Sequence, residues 1–168
     1  MRANFHTHNY RCGHAEGDVE DYVKEAIKEG YSEIGISDHS PLPKYDFDRM
    51  GMIELEGYLG EIREAQRKYN GKITIYKSLE IEYFEDLEDY YRELAQKLDY
   101  LLLGLHTYVV NGKLRDSWII NTDEDMINYA LHMEKAMKSK LFQIAAHPDL
   151  YMSRRMTWSR AAEDAAHI

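Results

Sequence analysis

Residues 100–106 read YLLLGLH, an apolar run closed by a histidine. A run of this kind, with no polar alternation, is what a strand buried on both faces requires, and such strands belong to parallel sheets covered by helices. The same unit recurs outward from it. Toward the N-terminus, Lys72–Leu79 (KITIYKSL) alternates and is β-branched, Glu33–Ser37 (EIGIS) is a second strand, and Arg2–Phe5 is a first. Toward the C-terminus, Leu141–Ala146 (LFQIAA) supplies a fifth. Helical patterns lie between. Residues 18–30 carry Val19, Tyr22, Val23, Ala26 and Ile27 at helical spacing, with Gly30 as a stop. Residues 53–69 place Ile53, Leu55, Tyr58, Leu59, Ile62 and Ala65 on or near one face and end at Asn70-Gly71; residues 85–97 are acidic and amphipathic. Thr122 is a fitting N-cap for a helix over 123–138, and a last helix starts near Ser159. The order β-α repeated five times predicts an α/β fold of about five parallel strands with flanking helices, as a sheet or a barrel.

Composition limits the partners. The chain has 168 residues, about one domain, with 30 acidic against 21 basic residues and a formal charge of −9. A non-specific grip on nucleic acid needs clustered Lys and Arg, so no nucleic-acid partner is expected. The apolar run Leu101–Leu103 is far short of a membrane span, so no membrane partner is expected either. The opening MRANFHTHNY lacks the apolar core of a secretory leader, and the single Cys12 cannot form an internal disulfide. Both fit a reducing cytoplasm.

In parallel α/β folds the chemistry gathers beyond the C-terminal ends of the strands. Here His6 and His8 follow the first strand, Asp38-His39 the second, Glu80 the third, His106 the fourth and His147 the fifth. With eight histidines in the chain, imidazoles at 39, 106 and 147 by chance amount to about a one-in-ten-thousand coincidence. Imidazole and carboxylate suit zinc, iron and manganese. His6 and His8, two apart on an extended segment, point to one side and can chelate one ion. His14 lies in a loop, Arg11-Cys12-Gly13-His14, able to curl back over the same end. So many ligands exceed one tetrahedral site, so more than one divalent ion is expected, with Glu80 as the natural bridge. Clustered divalent ions clamp a phosphoryl group and turn a trapped water into a hydroxide nucleophile. Asp38 can orient a ligand or cap a turn; Glu82, Glu85 and Asp86 read as a solvated acidic stretch, and Cys12 as a small buried thiol. His132 and His167 read as core or surface histidines. Two loops, residues 40–52 with Tyr45 and Phe47, and 107–122 with an Asn111-Gly112 turn and Trp118, stand where substrate is selected.

His6-Thr7-His8, His14, Ser37-Asp38-His39, Leu79-Glu80, Gly104-Leu105-His106-Thr107 and Ala146-His147-Pro148-Asp149-Leu150 together resemble the polymerase-and-histidinol-phosphatase (PHP) family of metal-dependent phosphoesterases. Glu80-Ile81-Glu82-Tyr83 and the His-Pro-Asp-Leu segment are most similar to its histidinol-phosphate phosphatase branch. The resemblance implies a distorted (β/α)7 TIM-like barrel with a trinuclear site of Zn, Mn or Fe. His6, His8 and Glu80 would hold one ion, Glu80, His106 and His147 a second, and His14 with His39 a third. Glu80, His39 and Asp38 would be the catalytic group, with Arg154 or Arg155 gripping phosphate. The implied reaction is hydrolysis of a small phosphorylated substrate, L-histidinol phosphate, to L-histidinol and phosphate in histidine biosynthesis. The family's late Asp-x-His has no counterpart; Asp164-Ala165-Ala166-His167 has one residue too many. The expectation is therefore a single PHP-type domain over 1–168, an incomplete barrel truncated at its C-terminus and weakly active or inactive alone. Its open sheet edge invites pairing or a homo-oligomer. A non-catalytic metal-binding fragment and an exonuclease-like module acting on nucleotides or DNA ends are the alternatives.

Overall fold

The computed structural model describes residues 2–47, 49–154 and 157–168. Its regular elements are β1 (Ala3–Asn4), α1 (Val19–Lys28), β2 (Glu33–Ile36), α2 (Leu55–Lys68), β3 (Thr74–Lys77), β4 (Glu80–Ile81), α3 (Glu88–Ala95), β5 (Leu102–Leu103), β6 (Thr107–Val110), β7 (Lys113–Asp116), α4 (Asp123–Lys138), β8 (Ile144–Ala145) and α5 (Arg160–His167). The chain forms two compact units, Met1–Glu80 with Lys97–Leu102, and Ile81–Gln96 with Leu103–Ile168.

In the first unit β1, β2 and β3 form a parallel sheet, with Ala3 opposite Glu33 and Glu33 opposite Thr74. The ladder continues past the strands. Ser37 N–H donates to Thr7 O, Ser78 N–H to Ile36 O and Glu80 N–H to Asp38 O. Ser40 N–H in turn donates to Glu80 O at 2.9 Å. Helix α1 starts at a capping box made by two aspartates: Asp18 accepts the Asp21 N–H at 2.9 Å, and Asp21 accepts the Asp18 N–H at 3.1 Å. Its buried Val19, Val23 and Ala26, with Tyr58, Leu59 and Ile62 of α2, cover the sheet. Ile53, expected on that apolar face, is 94% exposed. It stands in a 3₁₀ turn, Met52–Glu54, outside the α-helical period.

In the second unit Gly104 N–H donates to Ile81 O and Ala146 N–H to Leu103 O. Thr122 caps α4 by accepting the Asp125 N–H, and Ser159 caps α5 by accepting the Ala162 N–H. Tyr129 and Ala130 of α4 meet Ala162 and Ala165 of α5 in a core with Leu105, Tyr108 and Tyr151. Residues 107–122 are more ordered than a loop. β6 and β7 pair antiparallel around Asn111 and Gly112, both at positive φ (52° and 72°), the backbone of a tight hairpin turn. The expected strand over 72–79 is also shorter and is followed by a separate β4. The architecture is thus mixed α/β with parallel pairing, and no closed barrel occurs among the described residues. Nor is any helix among them long and apolar enough to cross a membrane.

Gly35, central in β2, is where backbone meets side chain most closely. A Cβ there would lie 1.8 Å from Tyr100 Oη and 3.1 Å from Phe5 Cα. The Tyr100 hydroxyl donates to Phe5 O, so the ring has little freedom to retreat. Gly35→Ala is expected to cost about 1–3 kcal/mol by overpacking, measured by urea unfolding, with part of the loss recovered when Tyr100→Leu is added.

Candidate metal centre

The continued ladder fixes the strand ends of the first unit. Glu80 is paired in parallel with His39, its N–H held by Asp38 and its carbonyl by Ser40. Its carboxylate, 1% exposed, therefore has a fixed origin. His6 Nε2 and His8 Nε2 both lie 3.1 Å from Glu80 Oε2, and 2.9 Å from each other. Two imidazole nitrogens cannot face each other with two lone pairs or two N–H groups; a proton or a cation has to lie between them. Four-coordinate zinc with bonds of about 2.0–2.1 Å sets neighbouring ligand atoms roughly 3.3 Å apart, close to this triangle. The donor set fits a divalent ion.

His39 and His14 complete the first unit's group. His39 Nδ1 is 3.5 Å from Glu80 Oε2, the His8 and His39 rings are 4.6 Å apart, and the exposed His14 ring lies 5.1 Å from His8 and 5.3 Å from His39. Asp38 is fully buried, with its carboxylate near two backbone N–H groups and the His8 ring. It accepts the N–H groups of His39 (2.8 Å) and Asn9 (3.3 Å), and it lies 3.5 Å from His8 Nδ1. Arg11, in the loop carrying His14, is tied to α2 by two bonds to Glu61 at 2.6 and 3.0 Å. Cys12 is buried as expected, and its thiol donates to Asn9 O; its Sγ also lies within 4.8 Å of ligand atoms of His8 and His14.

The second unit brings His106 and His147 together, ring centroids 4.8 Å apart. Glu82 was misread as solvated. It is fully buried, with Oε1 3.1 Å from His106 Nδ1. Glu85 and Asp86 are the exposed ones. The signal was available: Glu82 stands two residues beyond Glu80 on an extended segment, so it repeats the inward direction of Glu80. A buried carboxylate on Nδ1 orients the imidazole, the arrangement by which histidines are set up as metal ligands through Nε2. His147 has φ of 32°, a strained conformation for a non-glycine residue. Its carbonyl accepts from Leu150 N–H and the Tyr129 hydroxyl. Arg154 is exposed just beyond a 3₁₀ turn at Leu150–Met152, and Arg155 lies outside the described residues. His132 is a core histidine, its ring nitrogens 2.7 and 2.8 Å from the Asn128 and Val109 carbonyls, and His167 is exposed.

Sequence reasoning placed Tyr58 on the apolar face of its helix but missed the part its hydroxyl plays. It is buried, its hydroxyl accepts the Asp38 N–H and donates to Ser78 O, and burial pushes its pKa well up, so it stays a neutral connector.

Burial opposes charge on His8, yet Asp38 and Glu80 outweigh it and raise the pKa to about 9 in the metal-free protein. A folded pKa above the unfolded value of about 6.5 adds stability that is complete below pH 6.5 and is lost as pH rises through 9. Thermal melts of metal-free protein are expected to decline across that window, with a limiting slope of about 1.4 kcal/mol per pH unit, and the slope should flatten in His8→Asn. Glu82→Gln is expected to weaken metal binding about 10–100-fold in isothermal titration, with an unchanged circular-dichroism spectrum.

Comparison with known proteins identifies the family. The PHP domain model matches residues 4–168. A probable histidinol-phosphatase of Deinococcus radiodurans is 28% identical over 155 residues, 86% of this chain and 59% of that one. The histidinol-phosphatase of Bacillus subtilis is 33% identical over 92 residues, 50% of this chain and 34% of that one. The chain thus spans about three fifths or less of the length of these relatives. Among solved structures, a candidate histidinol phosphatase of Listeria monocytogenes superposes with a TM-score of 0.79 at 20% identity, covering 99% of this chain and 75% of that one. The histidinol phosphate phosphatase of Lactococcus lactis subsp. lactis, complexed with zinc, L-histidinol and phosphate, gives 0.68 at 19% identity, covering 88% and 57%. At such identities the two structures speak for the fold alone. Fold and family match run through nearly the whole sequence, and the chain belongs to the PHP domain family.

Proposed function

We propose that this chain carries the metal centre of a phosphomonoester hydrolase that converts L-histidinol phosphate and water to L-histidinol and phosphate, within a distorted (β/α)7 TIM-like barrel. The observation that carries the reading is the triangle of His6 Nε2, His8 Nε2 and Glu80 Oε2, with sides of 2.9 to 3.1 Å. His6, His8 and Glu80 hold one divalent ion; His14 and His39 supply ligands to another, and His106 and His147 are the ligand pair of the second unit. Zinc, manganese or iron, when bound, neutralises phosphate oxygens and lowers the pKa of a water for attack on phosphorus. The chain's own groups prepare that chemistry. Asp38 orients His8, Glu82 orients His106, and the ladder around Glu80 fixes the direction in which its side chain leaves the backbone. Arg154, charged and exposed after His147, is proposed to reach the phosphate as a planar fork. A chain with formal charge −9 suits a small substrate better than a nucleic-acid polymer.

The test is phosphate release from L-histidinol phosphate by protein stripped of metal and reloaded with Mn²⁺ or Zn²⁺. Release is expected only after reloading, with two to three ions per chain by elemental analysis. His6→Ala and Glu80→Gln each remove a ligand, so each is expected to cut the rate more than the roughly 10–100-fold loss typical of an orienting group. Full metal loading with no phosphate release would instead favour a non-catalytic metal-binding role.

A further inference from the structure

Trp118 is an exposed aromatic held in a built position. The residue before it, Ser117, is fully buried; its hydroxyl donates to Leu105 O at 2.6 Å and its N–H to His106 O at 2.8 Å. Asp116 Oδ1 accepts the Trp118 N–H at 2.7 Å. The backbone that carries the indole is therefore anchored to the strand end that carries His106. Its plane lies within 12° of the His106 imidazole, with centroids 6.3 Å apart, yet the residue remains 46% exposed. Keeping so large an apolar ring in water is unfavourable, and its near-parallel setting to His106 presents a face to another planar group. Anchored exposed tryptophans of this kind commonly carry recognition energy.

We propose that Trp118 is a specificity-determining residue, a stacking platform for the imidazole ring of the substrate alcohol. The assignment rests on the phosphatase reading for the identity of that alcohol. The reacting phosphate is proposed to bind beside His106, so the alcohol's ring has to project away from the ions, and an indole one ring-width from His106 is within its reach. Imidazole is planar and carries positive charge when protonated, which suits it to the electron-rich indole face. An aliphatic alcohol offers neither property.

The experiment compares two esters. Trp118→Ala is expected to raise KM for L-histidinol phosphate about tenfold, with kcat changed less than about twofold. Hydrolysis of glycerol 1-phosphate, which has no ring, should be unchanged, and Trp118→Phe should recover most of the loss. Equal loss on both esters would assign Trp118 a structural role and overturn the proposal, as would no change on either. If the wild-type chain hydrolyses neither ester, as expected of a chain inactive alone, fluorescence decides the role of Trp118, and the phosphatase reading is judged by turnover in a full-length version. The chain has two tryptophans, so Trp158→Phe leaves Trp118 as the sole reporter. Saturable quenching by L-histidinol but not by L-alaninol supports stacking; equal responses, or none, overturn it.

Discussion

The structure depends on keeping carboxylates in places where water cannot solvate them. Asp38 and Glu82 are fully buried and Glu80 nearly so, each at or beside the C-terminal end of a strand. An isolated buried carboxylate costs several kcal/mol, and it persists only where donors or cations compensate it. In the first unit the compensation is local. Asp38 takes two backbone N–H groups, and Glu80 faces the imidazoles of His6, His8 and His39. The backbone prevents an easier solution. With both its N–H and its carbonyl paired, Glu80 cannot turn its Cα–Cβ bond to the opposite face without breaking the ladder on either side. Packing therefore forces negative charge into a fixed point, and the histidines are the groups that converge on it.

Much of this was legible in the sequence because the rule behind it is topological. Parallel strands followed by helices put their C-terminal ends on one face of a sheet, so His6, His8, His39 and Glu80 are forecast together in the first unit without knowledge of any contact. The YLLLGL run was equally readable, since Leu101, Leu102, Leu103 and Leu105 are essentially unexposed. What escaped were features that depend on a switch of local geometry. Ile53 has the right spacing for a helical face but sits in a 3₁₀ turn, where that spacing no longer holds. The hairpin of β6 and β7 hides in a segment rich in charge and turn residues, and it needs Asn111 and Gly112 together at positive φ. Glu82 was hidden by composition, as one acid in an acidic stretch, although the two-residue period singled it out. The Tyr58 hydroxyl carried no local signal. Its role arises where α2 crosses the ends of two strands, which is tertiary information.

The donors also limit which ions can be served. Cys12 lies close to His8 and His14, and a thiolate there would turn the group toward soft metals. The fold works against that outcome in two ways. Burial pushes the Cys12 pKa up, and its sulfur donates its proton to the Asn9 carbonyl, a bond only the neutral thiol can make. Asn9 is itself held by Asp38, so the carboxylate that orients His8 also fixes the acceptor that keeps Cys12 protonated. Most of the donors around His8 are nitrogen and oxygen. That mixture suits borderline and hard divalent ions, which are the ions that activate water and neutralise phosphate, and disfavours the soft ions that thiolates bind. A backbone carbonyl and a buried thiol, beside the centre proposed above, thus bias its donors toward imidazole and carboxylate.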